Sequence, residues 1–291
     1  FSIMAIAIVG SSMYLNLHSD LSLSSSLAIK IIGAYMSISY TIELLAGYLN
    51  NRFLSQRYAL VLATILQMVG CYFLSLGSMH LFYIGASFAL LGGGLSITTY
   101  NIICNKLAIN QCQRKSIFIK NILMLSIAIF VGEFFIGLFQ HDRNYNHLYQ
   151  IGYSCLIICL LSVVSHFRKL NFAPHKPRSF LRLCFVIMVL FGFLAFMIGV
   201  SLYALEHTLN FAPILFFFFF FTLYLIKPNS TSSRNNSVTT KKYYLFVLLV
   251  LAIVLIQTIE FLQPTLMMDF LNTSMNNVVN GHRIPTAWID N

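Results

Sequence analysis

The run Gly33–Arg52, GAYMSISYTIELLAGYLNNR, decides how the chain is read. With the apolar residues before it, this run forms a stretch near 27–49, and about 20 helical residues are enough to cross a hydrocarbon layer. The stretch stops at Arg52, and Arg57 follows closely. An apolar segment that ends in basic residues marks the cytoplasmic end of a membrane span.

Outward from this run, the same reading repeats along the 291 residues. Apolar stretches lie near 1–17, 27–49, 58–78, 81–105, 117–139, 148–167, 181–205, 211–226 and 244–263. The gaps between them alternate between basic and nearly uncharged. Basic gaps hold Arg52 and Arg57; Lys106, Arg114, Lys115 and Lys120; Arg168, Lys169, Lys176, Arg178 and Arg182; and Lys227, Arg234, Lys241 and Lys242. Only Lys30, Arg143 and Arg283 of the 18 basic residues fall elsewhere. The expected protein is all-α, polytopic and multi-pass, with its basic loops in the cytoplasm.

Composition excludes the main rivals. Hydrophobic residues make up 58% and charged residues 9%, whereas a soluble domain carries about 25% charged residues. The net charge of +10 is spread over one side of a membrane rather than clustered, so no nucleic-acid partner is expected. The six cysteines have no C-x-x-C spacing, and no His or carboxylate set has metal-ligand spacing, so neither metal nor cofactor is expected. No Ser/His/Asp arrangement or phosphate-cradling Gly loop supports an enzyme. Phe1 to Leu17 lacks a basic n-region and a cleavage site, and reads as a span missing its beginning.

The expected organisation is a six-helix bundle over 1–167 and a basic linker over 168–180. A helix pair at 181–226, a second linker at 227–243 and a further span with the start of an outer loop at 244–291 follow. Gly92, Gly93 and Gly94, and Gly132 with Gly137, suit close helix packing.

Ionisable groups inside spans are costly and face a partner or a cavity. Glu43 reads as lying about one and a half turns from the cytoplasmic end of its span, with Arg52 as an ion-pair partner. Glu133 is within two turns of the outer end of the fifth span. Glu260 follows Gln257 and Thr258 and precedes Gln263 and Pro264, a polar lining that makes it a candidate proton carrier. An outer-interface helix end is the other reading of Glu260. Tyr35 and Tyr40, five residues apart, are about 140° apart around a helix and do not share a face. Lys120 is expected to snorkel to the cytoplasmic surface.

The 33–52 run resembles the second span and following loop of the proton-dependent oligopeptide transporter family of the major facilitator superfamily. That pattern reads G-A-Y-x-x-x-x-Y-x-x-P-L-L-G-G-W-L-A-D-R-x-L-G. Gly33, Ala34, Tyr35, Tyr40, Leu44, Leu45, Gly47, Leu49, Arg52 and Leu54 match it. Glu43 stands where the family has Pro, Asn51 where it has Asp, and Ser55 where it has Gly. LFYIG at 81–85 with LGGGL at 91–95 looks like the family's fourth span. Gln263-Pro264-Thr265 looks like its seventh span, and GHRIPTAW at 281–288 like the loop beyond. Bacterial members insert two helices between spans six and seven, where 181–226 falls.

The resemblance implies a major facilitator fold comprising the first six-helix bundle, the inserted helix pair and the seventh core helix. It implies alternating-access symport of protons with di- or tripeptides across a bacterial inner membrane. It further implies that Tyr40, Asn121 and Ser126 line a substrate cavity and that Glu260 couples the proton. Gly47, Asn51, Arg52 and Arg57 would form a gating loop. Departures qualify the peptide expectation. The family's fourth-span Lys falls at Ile97, and an Arg of its first span at Ala7. Asn121 and Ile122 replace the fifth-span tyrosines, Ser126 replaces Asn, and Ala128 replaces Gly. A same-fold transporter of a non-peptide solute, and a degenerate non-transporting remnant, are the alternatives.

Overall fold

The computed structural model describes residues 2–52, 54–108, 110–140 and 145–168, together with 192, 245, 248, 270, 278–279 and 282–283. Apart from those isolated positions, the helix pair expected at 181–226, the linker at 227–243 and the span at 244–263 lie outside the described residues.

Six helices form the described body: α1 (Ser2–Leu15), α2 (Ser25–Arg52), α3 (Gln56–Leu74), α4 (Met79–Leu107), α5 (Gln111–Gln140) and α6 (Tyr145–Ser165). Gln56–Leu74, Met79–Leu107, Cys112–Phe139 and Tyr145–Ser165 are long and apolar enough to cross a membrane. The apolar run Ser2–His18 is shorter. At 28 residues α2 is long enough at about 42 Å, but it is studded with Ser37, Ser39, Thr41 and Glu43. These helices coincide with the first six spans expected from apolar length, in a multi-pass arrangement.

The helices overrun the apolar spans because nothing stops the hydrogen-bond ladder where the apolar residues end. No Pro or Gly interrupts α2 after Gly47, so it continues through Arg52 until the Leu54 N–H turns back to the Leu49 carbonyl at 2.9 Å. Gly47, Asn51 and Arg52 are therefore helical, and Arg57 lies in the first turn of α3. The four residues expected in a gating loop therefore lie within helices, with Leu54 and Ser55 among the residues that separate α2 from α3. At the other end of α1 the backbone passes into a π-helical turn, Asn16–Asp20, and reverses at Ser22, whose φ is 54°. Gly77, with φ +69°, makes the short turn between α3 and α4, where a side chain would be strained.

The helices meet at stripes of small residues, as expected for packing without a hydrophobic driving force. On α4, Gly85, Ala89 and Gly92 recur every three or four residues and face α3. A Cβ at Gly70 would come within 2.5 Å of the Ala89 nitrogen, and one at Gly85 within 2.9 Å of the Gly70 carbonyl. The two backbones are nearly in contact. On the α2 side, Gly94 sits under Ile42, whose Cγ2 would be 2.6 Å from an added Cβ. Gly132 of α5 packs against Ala7 and Met4 of α1, and Gly152 of α6 faces Cys71 of α3. The outer sides of α5 and α6, with Ile122, Leu123, Phe130, Phe134, Ile158 and Leu161, are exposed and apolar, as lipid-facing or partner-facing surfaces are.

Beyond the bundle, β1 (Val278–Val279) pairs antiparallel with β2 (His282–Arg283) in the segment read as an outer loop.

Candidate functional site

The apolar helices enclose a belt of polar side chains near mid-depth. Ser2 of α1 donates from Oγ to Gln67 Oε1 of α3 at 2.8 Å, and its hydroxyl also meets Ser96 Oγ of α4 at 2.9 Å. Gln67 is 2% exposed, and its Nε2 has no hydrogen-bond partner. Gly93 lies beside it: a Cβ there would sit 3.7 Å from that Nε2. The Ser2 hydroxyl thus links three helices, and the amide accepts through its oxygen while its NH2 group is left without a partner in the interior.

Further along the α2–α4 seam, Thr98 donates to the carbonyls of Gly94 at 2.8 Å and Glu43 at 3.3 Å. Asn50 donates from Nδ2 to Thr99 Oγ1 at 2.7 Å, and Thr99 donates to the Leu95 carbonyl. Asn50 is fully buried, and its Oδ1 has no partner. The Glu43 main chain is clasped by α4, while its half-buried carboxylate projects from a register between the α4-facing stripe and that of Gly47.

The expected ion pair between Glu43 and Arg52 does not survive the continuity of α2. Nine helical residues separate them by about 13.5 Å along the axis and by about 180° around it. They lie on opposite faces. Glu43 is also two and a half turns from the helix end, one turn deeper than apolar length alone suggested.

Of the residues expected to line a cavity, the Tyr40 side chain and the whole of Glu260 lie outside the described residues. Asn121 is half-buried on the side of α5 that packs inward, and its Oδ1 is buried without a partner. Ser126 is exposed, and its hydroxyl returns to the Ile122 carbonyl at 3.1 Å. Because α5 is a regular helix, these two are about 140° apart and the structure does not bring them to one face.

Arg57 is held differently from a loop residue. Its guanidinium lies 5.0 Å from the ring centroids of both Tyr58 and Phe167, and those rings meet edge-on at 5.4 Å. This clasp joins the start of α3 to the residues just after α6. Tyr35 stacks on Tyr83, with centroids 6.4 Å apart, and donates to the Tyr83 carbonyl at 3.3 Å. On the opposite flank, Ser11 of α1 donates to Glu133 Oε1 at 3.4 Å, and Ser12 to the Tyr149 hydroxyl at 3.2 Å. Among the described residues no group of three or more His, Cys, Asp and Glu side chains could hold a metal ion.

Sequence reasoning missed Gln67, Ser96, Asn50 and Thr99. The only signal available was an amide or hydroxyl in an otherwise apolar span. That signal becomes informative once packing shows which helix each residue faces.

No family model matches the sequence, and no curated protein matches it. Solved structures do. A POT family transporter in complex with a thioalcohol-conjugated peptide superposes with a TM-score of 0.74 at 16% identity, covering 99% of this chain and 63% of that one. A peptide transporter POT in complex with sulfate gives 0.73 at 17% identity, over 99% and 62%. A POT family transporter in complex with 5-aminolevulinic acid gives 0.71 at 17%, over 99% and 63%. The chain spans less than two thirds of the length of these neighbours. Its described helices are arranged in the fold of these solved POT transporters.

Proposed function

We propose that the chain is part of a secondary active transporter that works by alternating access and carries small solutes, di- and tripeptides first among them, with protons. The observation that carries this reading is the superposition of 99% of the chain on structures described as peptide transporters. The polar belt at mid-depth supports it, since transporters of this kind bind substrate near the bilayer midplane. In this reading 1–167 is the first bundle and 168–180 a basic linker. Residues 181–226 are an inserted helix pair, 227–243 a second linker, and 244–291 opens a second bundle against which the first rocks. Tyr40 lines the cavity, Asn121 contributes from the inward side of α5, and Glu260 exchanges the proton. No enzyme activity is proposed. The basic loops face the cytoplasm of a bacterial inner membrane. Uptake of labelled dialanine by proteoliposomes of the full-length protein under an inward proton gradient tests this. Absence of uptake at every pH rejects it.

A second reading keeps the fold and changes the solute. At Ala7, where the peptide-transporter pattern has Arg, the side chain is packed against Gly132, with its Cβ 3.2 Å from an added Cβ there. At Ile97, where the pattern has Lys, an aliphatic side chain follows Ser96. A peptide carboxylate would find neither cation. Thermal stabilisation by non-peptide solutes, with dipeptides inert, selects this reading.

A further inference from the structure

None of the eight acidic residues of the chain falls in any of the four basic gaps. The cations gathered at that end of the bundle have no carboxylate in their own segments to pair with. Among them Arg57 is fixed in place. Its guanidinium lies 5.0 Å from the ring centroids of both Tyr58 and Phe167, and its Nε is buried. Aromatic faces hold a cation without neutralising it, so the charge stays available to an anion.

The surface beside this clasp has the character of a lipid contact. On α3 the large exposed apolar side chains are Tyr58, Ile65 and Tyr72. Their seven-residue spacing puts them on one stripe, with the two tyrosines about 21 Å apart along the axis. An apolar stripe with a tyrosine at each end matches a membrane-facing surface whose phenol rings sit at headgroup level. Helices α3 and α6 run antiparallel, since Tyr58 meets Phe167 at one end and Cys71 faces Gly152 nearer the other. On α6, Leu161 and Val164 are exposed, and both lie within two turns of Phe167. Ile65 and Leu161 are thus at similar depth, about 9–11 Å inward from the clasp. The α3–α6 seam therefore joins a positioned cation at headgroup level to an apolar track that leads inward. An amphiphile with an anionic head has the same two parts in the same order.

We propose that the α3–α6 seam binds an anionic phospholipid of the leaflet at the basic end, its phosphate on Arg57 and an acyl chain along Ile65, Leu161 and Val164. The inference rests on the membrane reading of the fold and is independent of transport. The terminal NH2 groups of Arg57 donate to the phosphate oxygens, while Tyr58 and Phe167 fix the guanidinium plane. Free phosphate would meet the cation and leave the apolar track unused.

The test is equilibrium binding of radiolabelled dioctanoyl-phosphatidylglycerol to the full-length protein in detergent. Salt at about 0.3 M shortens the screening length to about 5–6 Å and suppresses diffuse attraction. Arg57→Gln is expected to bind about tenfold more weakly, the worth of one hydrogen bond to a charged group. Arg57→Lys keeps the charge, loses the planar fork and should fall between the two. Leu161→Ser should weaken binding about threefold through the acyl chain. Lys115→Gln removes an exposed cation at the start of α5, outside the seam, and should bind as wild type does. Unlabelled dioctanoyl-phosphatidylcholine should compete about fivefold less well than the glycerol lipid, having lost one net charge, and inorganic phosphate hardly at all. Equal weakening by Arg57→Gln and Lys115→Gln would indicate diffuse surface charge and overturn the site. So would phosphate that competes as well as the lipid, wild type that binds no lipid, or unchanged binding in Arg57→Gln or Leu161→Ser. Leu161 and Lys115 are exposed positions, so their comparison decides the matter even where Arg57→Gln does not fold. Uptake of dialanine plays no part in this measurement, and the transport reading stands or falls separately.

Discussion

Three consecutive glycines on α4 should respond differently to the same small perturbation, the addition of one methyl group. At Gly92 a Cβ would lie 2.7 Å from the Ala63 carbonyl oxygen and 2.7 Å from the Gln67 nitrogen, both backbone atoms of α3. Ordinary contact begins near 3.4 Å. Helices α3 and α4 must therefore part by about 0.7 Å, a gap that forfeits a quarter to a half of each dispersion contact beside it. At Gly93 the nearest atom is Ile6 Cγ1 at 3.4 Å, so the methyl group fits. At Gly94 it would meet Ile42 Cγ2 at 2.6 Å. That β-branched side chain has essentially one χ1 rotamer in a helix and cannot swing aside.

Overpacking of this kind costs about 1–3 kcal/mol, and replacing glycine by alanine in a helix returns at most about 1 kcal/mol. Gly92→Ala is thus expected to destabilise the protein by roughly 1–2 kcal/mol, and Gly94→Ala to fall slightly below that. Gly93→Ala should be neutral or stabilising by up to about 1 kcal/mol. The single tryptophan, Trp288, lies far from α4 in sequence. Unfolding is therefore best followed by far-UV circular dichroism during a titration of sodium dodecyl sulfate into dodecyl maltoside micelles. A Gly92→Ala protein as resistant as Gly93→Ala would refute the packing described for α3 and α4.

Two further outcomes follow from the basic end of the bundle. In a double-mutant cycle over Arg57→Leu and Phe167→Ala, the coupling should be about 0.5–1 kcal/mol, as for a cation over an aromatic face. Zero coupling would mean that the clasp between α3 and the end of α6 contributes nothing. Cys112 is exposed near the start of α5, whereas Cys71 is buried against Gly152. In single-cysteine variants, a membrane-impermeant maleimide should label Cys112 in inside-out vesicles only and Cys71 in neither orientation. Labelling of Cys112 from the outer face would invert the proposed topology.

Positions of the six spans were legible because apolar length is a local property of the chain. Each described helix covers nearly all of its expected span and in most cases extends past it. Helix ends were less legible, since hydrogen bonding continues through polar residues once water or headgroups can solvate them. That is why Asn51 and Arg52 read as loop and fold as helix. The short β1–β2 ladder did carry a signal, Asn280-Gly281 between the paired segments, which is the strongest hairpin dipeptide. The all-helical expectation masked it.

Side-chain partnerships across the bundle were not legible, because they depend on which faces meet. Phe167 lies 110 residues from Arg57 and shares no pattern with it, yet their contact is direct. Gly92, Gly93 and Gly94 are indistinguishable as letters and differ only through the 100° that separates neighbours on a helix. The same rotation accounts for Glu43. Read along the sequence, it has an arginine nearby and looks like half of an ion pair. Placed on a continuous helix, the two positions fall on opposite sides of α2, so closeness in sequence does not make them a pair.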